Sequence, residues 1–330
     1  NEIITIKNDL KVLQDRDGKR LKEYHVEIAN DELIITDEDG EPFKYNPASK
    51  ESQRVQEALF HEKQTIIENC LFGVDINTNS VKICRLRLWI ELLKNAYYKQ
   101  SGVLETLPNI DINIKCGNSL ISRFALDADL KQALKKSKWS IDTYKIAVQT
   151  YREAESKEQK REMERLIADI KNDFRSEISR NDPKGKKLKK LQEEIIFLPT
   201  QIKLFDQSAK DKKDFNDKIK KLTEEASKLE NEIEEIKANK IYESAFEWRF
   251  EFPEVLNNEG EYMGFDVVIG NPPYMRVQEI QASQPSAKLF YEKTYENAKS
   301  AYDLANIFFE LAVNISSVNS RNAYIFPHKF

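Results

Sequence analysis

The stretch that decides the fold is Phe265-Asp266-Val267-Val268-Ile269-Gly270-Asn271-Pro272-Pro273-Tyr274, an apolar segment that ends in a rigid polar tetrapeptide. Three consecutive β-branched residues are typical of a strand buried on both faces, as in a parallel sheet covered by helices. Gly270 ends the strand, and the two prolines that follow each fix φ and remove a backbone donor. The sequence therefore predicts a buried strand with a fixed turn at its carboxyl end.

The tetrapeptide offers groups that suit an amine on a planar ring. The side-chain oxygen of Asn271 and the carbonyl of Pro272 can accept the two hydrogens of an exocyclic NH₂, and Tyr274 offers a flat face on which the ring can stack. Ligands of open α/β sheets bind at the carboxyl ends of strands, where this turn lies. A tight turn without a ligand is the alternative interpretation of so short a motif.

Composition limits the class of protein. The 330 residues are 40% hydrophobic and 33% charged, which predicts one sizeable core with a more solvated part attached. The net charge of -4 argues against the whole chain being an autonomous nucleic-acid binder, because phosphate contacts need clustered Lys and Arg. No run approaches the roughly 20 apolar residues of a membrane span, and no signal peptide is visible.

The three cysteines, Cys70, Cys84 and Cys116, are not spaced as a Cys-x-x-Cys pair and lie beside apolar segments. This pattern predicts reduced, buried thiols of a cytoplasmic protein and no metal site. The chain starts at Asn1 rather than at a methionine and ends at Phe330 inside an apolar, strand-like segment. We therefore interpret it as part of a larger protein.

Upstream of the decisive stretch, the sequence predicts a β-hairpin over residues 24–36 and then two further strands with polar ends. The first of these strands, residues 71–76, ends in Asp75 and Ile76 and leads into cap residues and a long helix through residue 93. Asp75 is placed to accept from ribose hydroxyls, with a helix cap as the alternative. The second strand, residues 110–116, runs into Gly117-Asn118-Ser119-Leu120.

The segment 125–244 is highly charged and predicts a helical hairpin or small bundle with a coiled-coil seam. Its seam residues, at three- and four-residue steps, are Phe215, Ile219, Leu222, Ala226, Leu229, Ile233 and Ile236. A second stripe consists of Met163, Leu166, Ile170, Phe174 and Ile178. Lysines alternate with Glu and Asp here, which favours a solvated helical face over a DNA contact.

After the tetrapeptide, residues 275–295 predict a mobile surface loop. Asp303 is then the expected N-cap of an amphipathic helix, and residues 322–327 the next strand. Strands that alternate with helices predict an α/β fold with a doubly wound, Rossmann-like sheet, incomplete in this chain. The predicted division is 1–124 and 245–330 for two parts of one sheet domain, with 125–244 as the helical insertion.

In order along the chain, the units that end at Asp75, Leu120 and Tyr274, the cap at Asp303, and Ile325-Phe326-Pro327 resemble motifs II to VI of the S-adenosylmethionine-dependent adenine-N6 DNA methyltransferases. The run from Asp75 to Asn95 and the helical insertion before the tetrapeptide are most similar to the fused restriction-modification enzymes of type IIG, also called type IIS. The resemblance covers nearly the whole chain, and its specificity comes from the order and length of the matches.

The resemblance implies a role for each site residue. Asp75 with Ile76 and the turn Asn118-Ser119-Leu120 would bind the cofactor S-adenosylmethionine, Asn118 standing where many relatives have Asp and Leu120 or Ile121 packing on the cofactor adenine. Asn271, Pro272, Pro273 and Tyr274 would be the catalytic set that holds a flipped-out adenine, and Asp303 would lie near the substrate pocket. The expected partner is double-stranded DNA, bound through domains outside this chain.

One part of the family pattern is absent. The nine glycines, at positions 18, 40, 73, 102, 117, 185, 260, 264 and 270, include no Gly-x-Gly pair. The glycine-rich cofactor turn that the family carries after its first strand would lie upstream of Asn1. We therefore expect this chain alone to bind S-adenosylmethionine weakly and to lack methyltransferase activity.

Two other functions are compatible with the same residues. Enzymes that methylate protein glutamine side chains or RNA amines also carry an Asn-Pro-Pro-Tyr turn, because each substrate presents a planar NH₂. Alternatively, the sheet is catalytically idle and the insertion, which could self-associate through its heptad stripe, is an interaction module.

Overall fold

The strands of this protein are short and pair two by two. The computed structural model describes residues 1–126, 130–181, 183–202, 209–238, 240–299 and 301–326. One compact unit consists of residues 1–116 and 148–163, and a second of residues 117–147 and 164–330. The division predicted at residues 124 and 244 stays a prediction.

The first unit begins with an antiparallel hairpin and continues into a parallel strand pair. Its elements are α1 (Glu2–Asp9), β1 (His25–Ala29), β2 (Glu32–Thr36), α2 (Lys50–Cys70), β3 (Gly73–Asp75), α3 (Thr78–Leu93) and β4 (Ile114–Cys116). The predicted hairpin is confirmed, with Asn30 and Asp31 both at positive φ in the turn that its right-handed strand twist favours. β3 and β4 are parallel, with Asp75 opposite Cys116.

Asn113, just before β4, ties this unit together from a fully buried position. Its side-chain nitrogen donates to the carbonyls of Ile67, Glu68 and Leu71 at 3.1, 2.7 and 3.1 Å, which satisfies the free carbonyls at the end of α2. Its side-chain oxygen accepts from the buried Arg152 guanidinium at 2.9 Å. One amide thus fixes both the end of a helix and the start of a strand.

The second unit contains the decisive strand and most of the charged segment. The elements that follow β4 along the chain are α4 (Leu130–Leu134), α5 (Ile141–Arg152), α6 (Lys157–Asn181), α7 (Pro183–Ile202), α8 (Ala209–Ala238), α9 (Trp248–Glu251), β5 (Phe265–Gly270), α10 (Val277–Ser283), α11 (Pro285–Thr294), α12 (Leu304–Ile315) and β6 (Ser316–Tyr324). Of these, α5 and α6 each contribute residues to both units. β5 pairs in parallel with β6, with a register shift between Phe265 and Val267.

Burial on both faces, which we expected for β5, is wrong. Phe265 and Val268 pack against the core of the second unit, but Val267 is 57% and Ile269 78% exposed. Within the described ranges β5 pairs only with β6, and the strands form three separate two-stranded sheets. The architecture is thus a mixed α/β arrangement of helices and small sheets, and a continuous doubly wound sheet stays a prediction.

The charged segment is helical, as its periodicity predicts. α7 and α8 run antiparallel, since Lys187 pairs with Glu225 at 2.6 Å and Glu194 with Lys218 at 3.3 Å. In α6, residues Ile170, Phe174 and Ile178 of the predicted stripe are buried. The seam residues of α8 up to Leu229 lie on its less exposed side, while the side chains of Ile233 and Ile236 lie outside the described residues. A coiled coil and self-association through it stay predictions.

Two further expectations are wrong. Cys70, Cys84 and Cys116 are exposed free cysteines rather than buried ones. Residues 275–295 are not a loop but carry α10 and α11, because buried residues spaced along them, among them Ile280 and Tyr291, anchor both helices to the core. No helix in the described part of the chain has the length and apolar character needed to cross a membrane.

Candidate active site

The tetrapeptide Asn271–Tyr274 directly follows β5 and lies on the surface, with only Pro272 buried. The Tyr274 hydroxyl donates to the carbonyl of Ile325 at 2.9 Å and lies 3.4 Å from the side-chain oxygen of Asn271. The amide of Ile325 in turn donates to the Gly270 carbonyl at 3.3 Å. The turn is therefore anchored to the end of β6 through the tyrosine and strand β5.

The two predicted acceptors differ in exposure, since Asn271 is exposed and Pro272 is buried. Within the described residues, no hydrogen bond reaches the Pro272 carbonyl or the side-chain nitrogen of Asn271. The Asn271 oxygen has two lone pairs, of which the long contact with Tyr274 uses at most one. The Tyr274 ring is 49% exposed, so it keeps a free face. Two acceptors and an aromatic surface thus coexist on one short turn.

A second turn, Gly117–Ile121, is held by the segment 244–248. The backbone N–H of Asn118 donates to the Ser244 carbonyl at 2.6 Å. The backbone N–H of Phe246 donates to the carbonyls of Asn118 at 3.2 Å and Ile121 at 2.9 Å. The Trp248 indole donates to the Ser119 carbonyl at 2.9 Å. A Cβ added at Gly117 would lie 3.0 Å from the Phe246 ring, so a larger residue there would require the ring to shift.

The same turn is contacted from the end of α11. The Tyr295 hydroxyl donates to the Leu120 carbonyl at 2.8 Å. The Asn118 oxygen also accepts from the Leu120 amide at 3.1 Å. Leu120 and Ile121 are buried in the core, whereas Asn118 and Ser119 are half-buried. The polar end of the turn is thus the part that a ligand can reach.

Glu247 stabilises the exit from this turn. Its buried carboxylate accepts from the Ser122 hydroxyl and, at 3.1 Å, from the Arg123 amide. Burial raises the pKa of Glu247, and these hydrogen bonds oppose the rise. The group therefore acts as an acceptor for the backbone.

Asp75 and Ile76, which belong to the first unit, are exposed at the end of β3. One carboxylate oxygen of Asp75 accepts from the Asn77 amide at 2.6 Å, and Asn77 itself is the N-cap of α3. The helix cap considered for Asp75 is thus supplied by Asn77. Within the residues that the structure describes, no hydrogen bond reaches the second carboxylate oxygen of Asp75.

Asp303 is the N-cap of α12, as predicted, and accepts from the amides of Ala305 and Asn306 at 2.8 and 3.3 Å. An isolated antiparallel β-bridge between the backbones of Arg276 and Asp303 joins the start of α12 to the segment after the tetrapeptide. Beside it, the backbone amide of Leu304 donates to the Met275 carbonyl at 2.9 Å. This brings Asp303 next to the chain that leaves Tyr274. The position of Asp303 near the substrate pocket stays a prediction.

Three residues that hold the turn Gly117–Ile121 were not predicted, namely Phe246, Trp248 and Tyr295. Their aromatic character was visible, but their partners lie more than a hundred positions away in the sequence. No three His, Cys, Asp or Glu side chains are grouped to hold a metal ion in the part of the chain that the structure describes.

Comparison with known proteins gives a consistent picture. The family model described as Eco57I restriction-modification methylase matches residues 69–330. A Methanocaldococcus jannaschii protein named as a type II restriction enzyme and methyltransferase, RM.MjaORFECS2P, is 31% identical over 243 residues, which is 66% of this chain and 19% of that protein. The Escherichia coli type II restriction enzyme and methyltransferase RM.Eco57I is 32% identical over 66 residues, which is 20% of this chain and 7% of that protein. The chain therefore spans only a small part of these relatives' length, and no solved structure matches it.

Proposed function

The chain belongs to the Eco57I restriction-modification methylase family and is the methyltransferase core of a restriction-modification enzyme, and from this premise we propose a specific reaction. The full-length protein transfers a methyl group from S-adenosylmethionine to the exocyclic N6 amine of an adenine flipped out of double-stranded DNA. The observation that carries the proposal is the turn at the end of β5, where the exposed Asn271 and the Pro272 carbonyl stand beside the half-exposed Tyr274.

The chemistry asked of these residues is electrostatic. The lone pair of an aromatic amine is delocalised into its ring, which makes the nitrogen a weak nucleophile. The Asn271 oxygen and the Pro272 carbonyl would accept both amine hydrogens, which favours a pyramidal nitrogen and stabilises the positive charge that develops on it. Tyr274 would stack on the extracted base and offset part of the few kcal/mol that leaving the duplex costs. The chain supplies positioning rather than an activated nucleophile.

The residues proposed for the cofactor fit its nucleoside end. The free carboxylate oxygen of Asp75 suits a ribose hydroxyl, Ile76 beside it offers apolar contact, and the amide of Asn118 suits an adenine edge, with Ser119 and Leu120 completing the turn. The bound cofactor supplies an electrophilic methyl group on a sulfonium. Because the sequence has no Gly-x-Gly turn, we propose that the 330-residue chain alone binds the cofactor only weakly.

The test uses the full-length protein with labelled cofactor and three substrates: duplex DNA, RNA and protein. We expect label in DNA, as N6-methyladenine after digestion. The variant Asn271→Ala should lose about 100-fold or more in methyl transfer rate, because it removes one of the two acceptors. Its cofactor affinity, measured by calorimetry, should stay within about twofold of wild type, since no cofactor contact is removed.

The matched control is Asn258→Ala, which removes an exposed asparagine from a turn upstream of β5 and outside the tetrapeptide and should leave both quantities unchanged. Label in RNA or protein glutamine instead of DNA would replace the substrate assignment with that alternative. Full activity of Asn271→Ala would remove the catalytic assignment. Micromolar cofactor binding by the 330-residue chain would contradict the weak binding proposed for it.

A further inference from the structure

The turn that carries Asp75 is held from the neighbouring strand by a single thiol. Cys116 is the last residue of β4 and lies opposite Asp75 in the parallel strand pair. Its sulfur lies 3.5 Å from the carbonyl oxygen of Ile76 and 3.5 Å from the hydroxyl oxygen of Thr78. Because Cys116 is exposed, apolar burial does not account for a cysteine at this position.

The direction of both hydrogen bonds follows from the hydrogens that are available. A carbonyl only accepts, so the Cys116 thiol gives its single hydrogen to the Ile76 oxygen. The thiol then has no hydrogen left for Thr78, and the Thr78 hydroxyl must be the donor to the sulfur. The thiol is therefore both a donor and an acceptor, and it joins the residues on either side of Asn77.

The peptide bond between Ile76 and Asn77 carries this restraint to Asp75. Its carbonyl accepts from Cys116, and its N–H donates to one carboxylate oxygen of Asp75 at 2.6 Å. A trans peptide unit is planar, with its C=O and N–H pointing in opposite directions, so neither hydrogen bond can turn without the other. A hydrogen bond to one oxygen of a planar carboxylate also restricts the position of the second oxygen.

We propose that Cys116 is a positioning residue for cofactor recognition, whose thiol holds the Ile76–Asn77 peptide so that the second carboxylate oxygen of Asp75 is presented to the ribose hydroxyls. The inference rests on the proposed function, in which Asp75 accepts from that ribose. An exposed carboxylate that is free to rotate loses this freedom when a ligand binds, and a carboxylate fixed in advance avoids that cost. The thiol thus acts through Asp75 rather than on the cofactor.

The experiment measures the affinity of the full-length protein for S-adenosylhomocysteine and for the analogue whose ribose lacks both of its hydroxyl groups. Cys116→Val keeps a side chain of similar size but removes both hydrogen bonds. It should lower the affinity for S-adenosylhomocysteine by about three- to tenfold, the equivalent of one net hydrogen bond, and leave the affinity for the analogue unchanged. Methyl transfer at saturating cofactor should change less than KM does, since the thiol contacts no reacting atom.

Two further variants test the hydrogen bonds separately. Thr78→Val removes the donor to the sulfur and should give a smaller loss in the same direction. Because Thr78 is exposed, this variant tests the proposal even if Cys116→Val does not fold. Adding Thr78→Val to Cys116→Val should cause no further loss, since the sulfur that Thr78 contacts is already absent. Cys116→Ser keeps a donor and an acceptor on a shorter side chain and should lie between wild type and Cys116→Val.

Cys70→Val is the matched control. Cys70 is also an exposed free cysteine of the first unit, but it lies at the end of α2 rather than beside the turn Asp75–Thr78. We expect this variant to bind both compounds as the wild type does, and thermal denaturation of all variants shows whether each is folded.

The outcomes separate the levels of the claim. Wild-type protein that binds neither compound and transfers no methyl group overturns the proposed function and, with it, this inference. Wild-type protein that binds both compounds equally removes the ribose contact of Asp75 and also overturns it. If the wild type prefers S-adenosylhomocysteine and folded Cys116→Val and Thr78→Val match Cys70→Val, the inference alone is overturned. An equal loss of affinity for both compounds overturns it as well, because that result means general loosening of the turn rather than a weakened ribose contact.

Discussion

At the scale of single residues, Gly264 has the least freedom to change. Its φ is +80°, and a Cβ added there would lie 2.5 Å from the Ser316 carbonyl carbon and 2.6 Å from the Ser317 nitrogen. Both are backbone atoms at the start of β6, where that strand passes the entry to β5. Any side chain at position 264 must therefore push two paired strands apart.

We expect Gly264→Ala to lower the free energy of unfolding by about 3 kcal/mol or more, from the left-handed backbone and the overpacking together. The control is Gly18→Ala, where φ is +78° but no atom lies within 4 Å of the added Cβ, so that only the backbone cost of about 1–2 kcal/mol applies. Urea titrations of both variants give the two values. Equal losses would mean that the contact with β6 is relieved without cost.

Sequence predicted single residues well where their partners are local. The cap at Asp303 follows from its position immediately before an apolar helical stripe, and its side chain accepts from Ala305 and Asn306, two and three positions further along. The bond from Tyr274 to Ile325 spans 51 positions, and no local pattern encodes it. The candidate site residues could therefore be named from the sequence, where they stay a prediction, but the residues that anchor them in the fold could not.

At the scale of elements, the turn between α3 and the strand β4 contains a carboxylate that couples folding to pH. Glu105 accepts from Lys99 at 2.8 Å and from the Tyr97 hydroxyl at 2.8 Å, and it also accepts from the Thr106 amide. Burial alone would raise the pKa of Glu105, but these hydrogen bonds outweigh burial and lower it from 4.5 to about 2.

Because the folded pKa of Glu105 lies below the unfolded one, its contribution to stability is complete above about pH 4.5 and is lost as the pH falls toward 2. Glu105→Gln should therefore lower stability at neutral pH and flatten its fall over this range. Denaturant titrations at a series of pH values check this, with the exposed Glu38→Gln as control. An unchanged pH slope in Glu105→Gln would exclude the coupling.

Elements were predicted where periodicity is strong and missed where it is weak. The long helix α8 follows from its apolar stripe, but α10 and α11 are short and mostly polar at the surface. The signals that identify α11 are Pro285 at its start and the four-residue spacing of Ala287 and Tyr291. These signals were outweighed by the surrounding Gln, Ser and Lys residues.

At the scale of the whole molecule, the feature that matters is strand β5, which leaves apolar side chains exposed. Among the described residues its outer edge has no strand partner, and Val267 and Ile269 expose a β-branched face beside that edge. The sequence predicted the strand because the apolar run is a local signal. The local sequence does not say which other elements pack against each face of β5. For that reason the expectation that both faces are buried was wrong.

An exposed edge of this kind pairs readily with another chain, and a lysine on it opposes such pairing. We expect the wild-type chain to associate at high concentration and Val267→Lys to associate much less, with little change in folding stability because the side chain is already exposed. Sedimentation velocity over a concentration series checks this. Gln281→Lys, which adds the same charge on the exposed surface of α10, is the control, and equal suppression by both variants would point to net charge rather than to the strand edge.

The way the turn at Gly117–Ile121 is held also bears on how such sequences can diverge. The carbonyls of Ser119 and Leu120, a group that every amino acid carries, accept from the side chains of Trp248 and Tyr295. Substitutions at Ser119 can therefore accumulate without disturbing the turn, while the distant donors are much less free to vary. Among related sequences we therefore expect Trp248 and Tyr295 to vary less than Ser119, the turn residue whose carbonyl Trp248 binds.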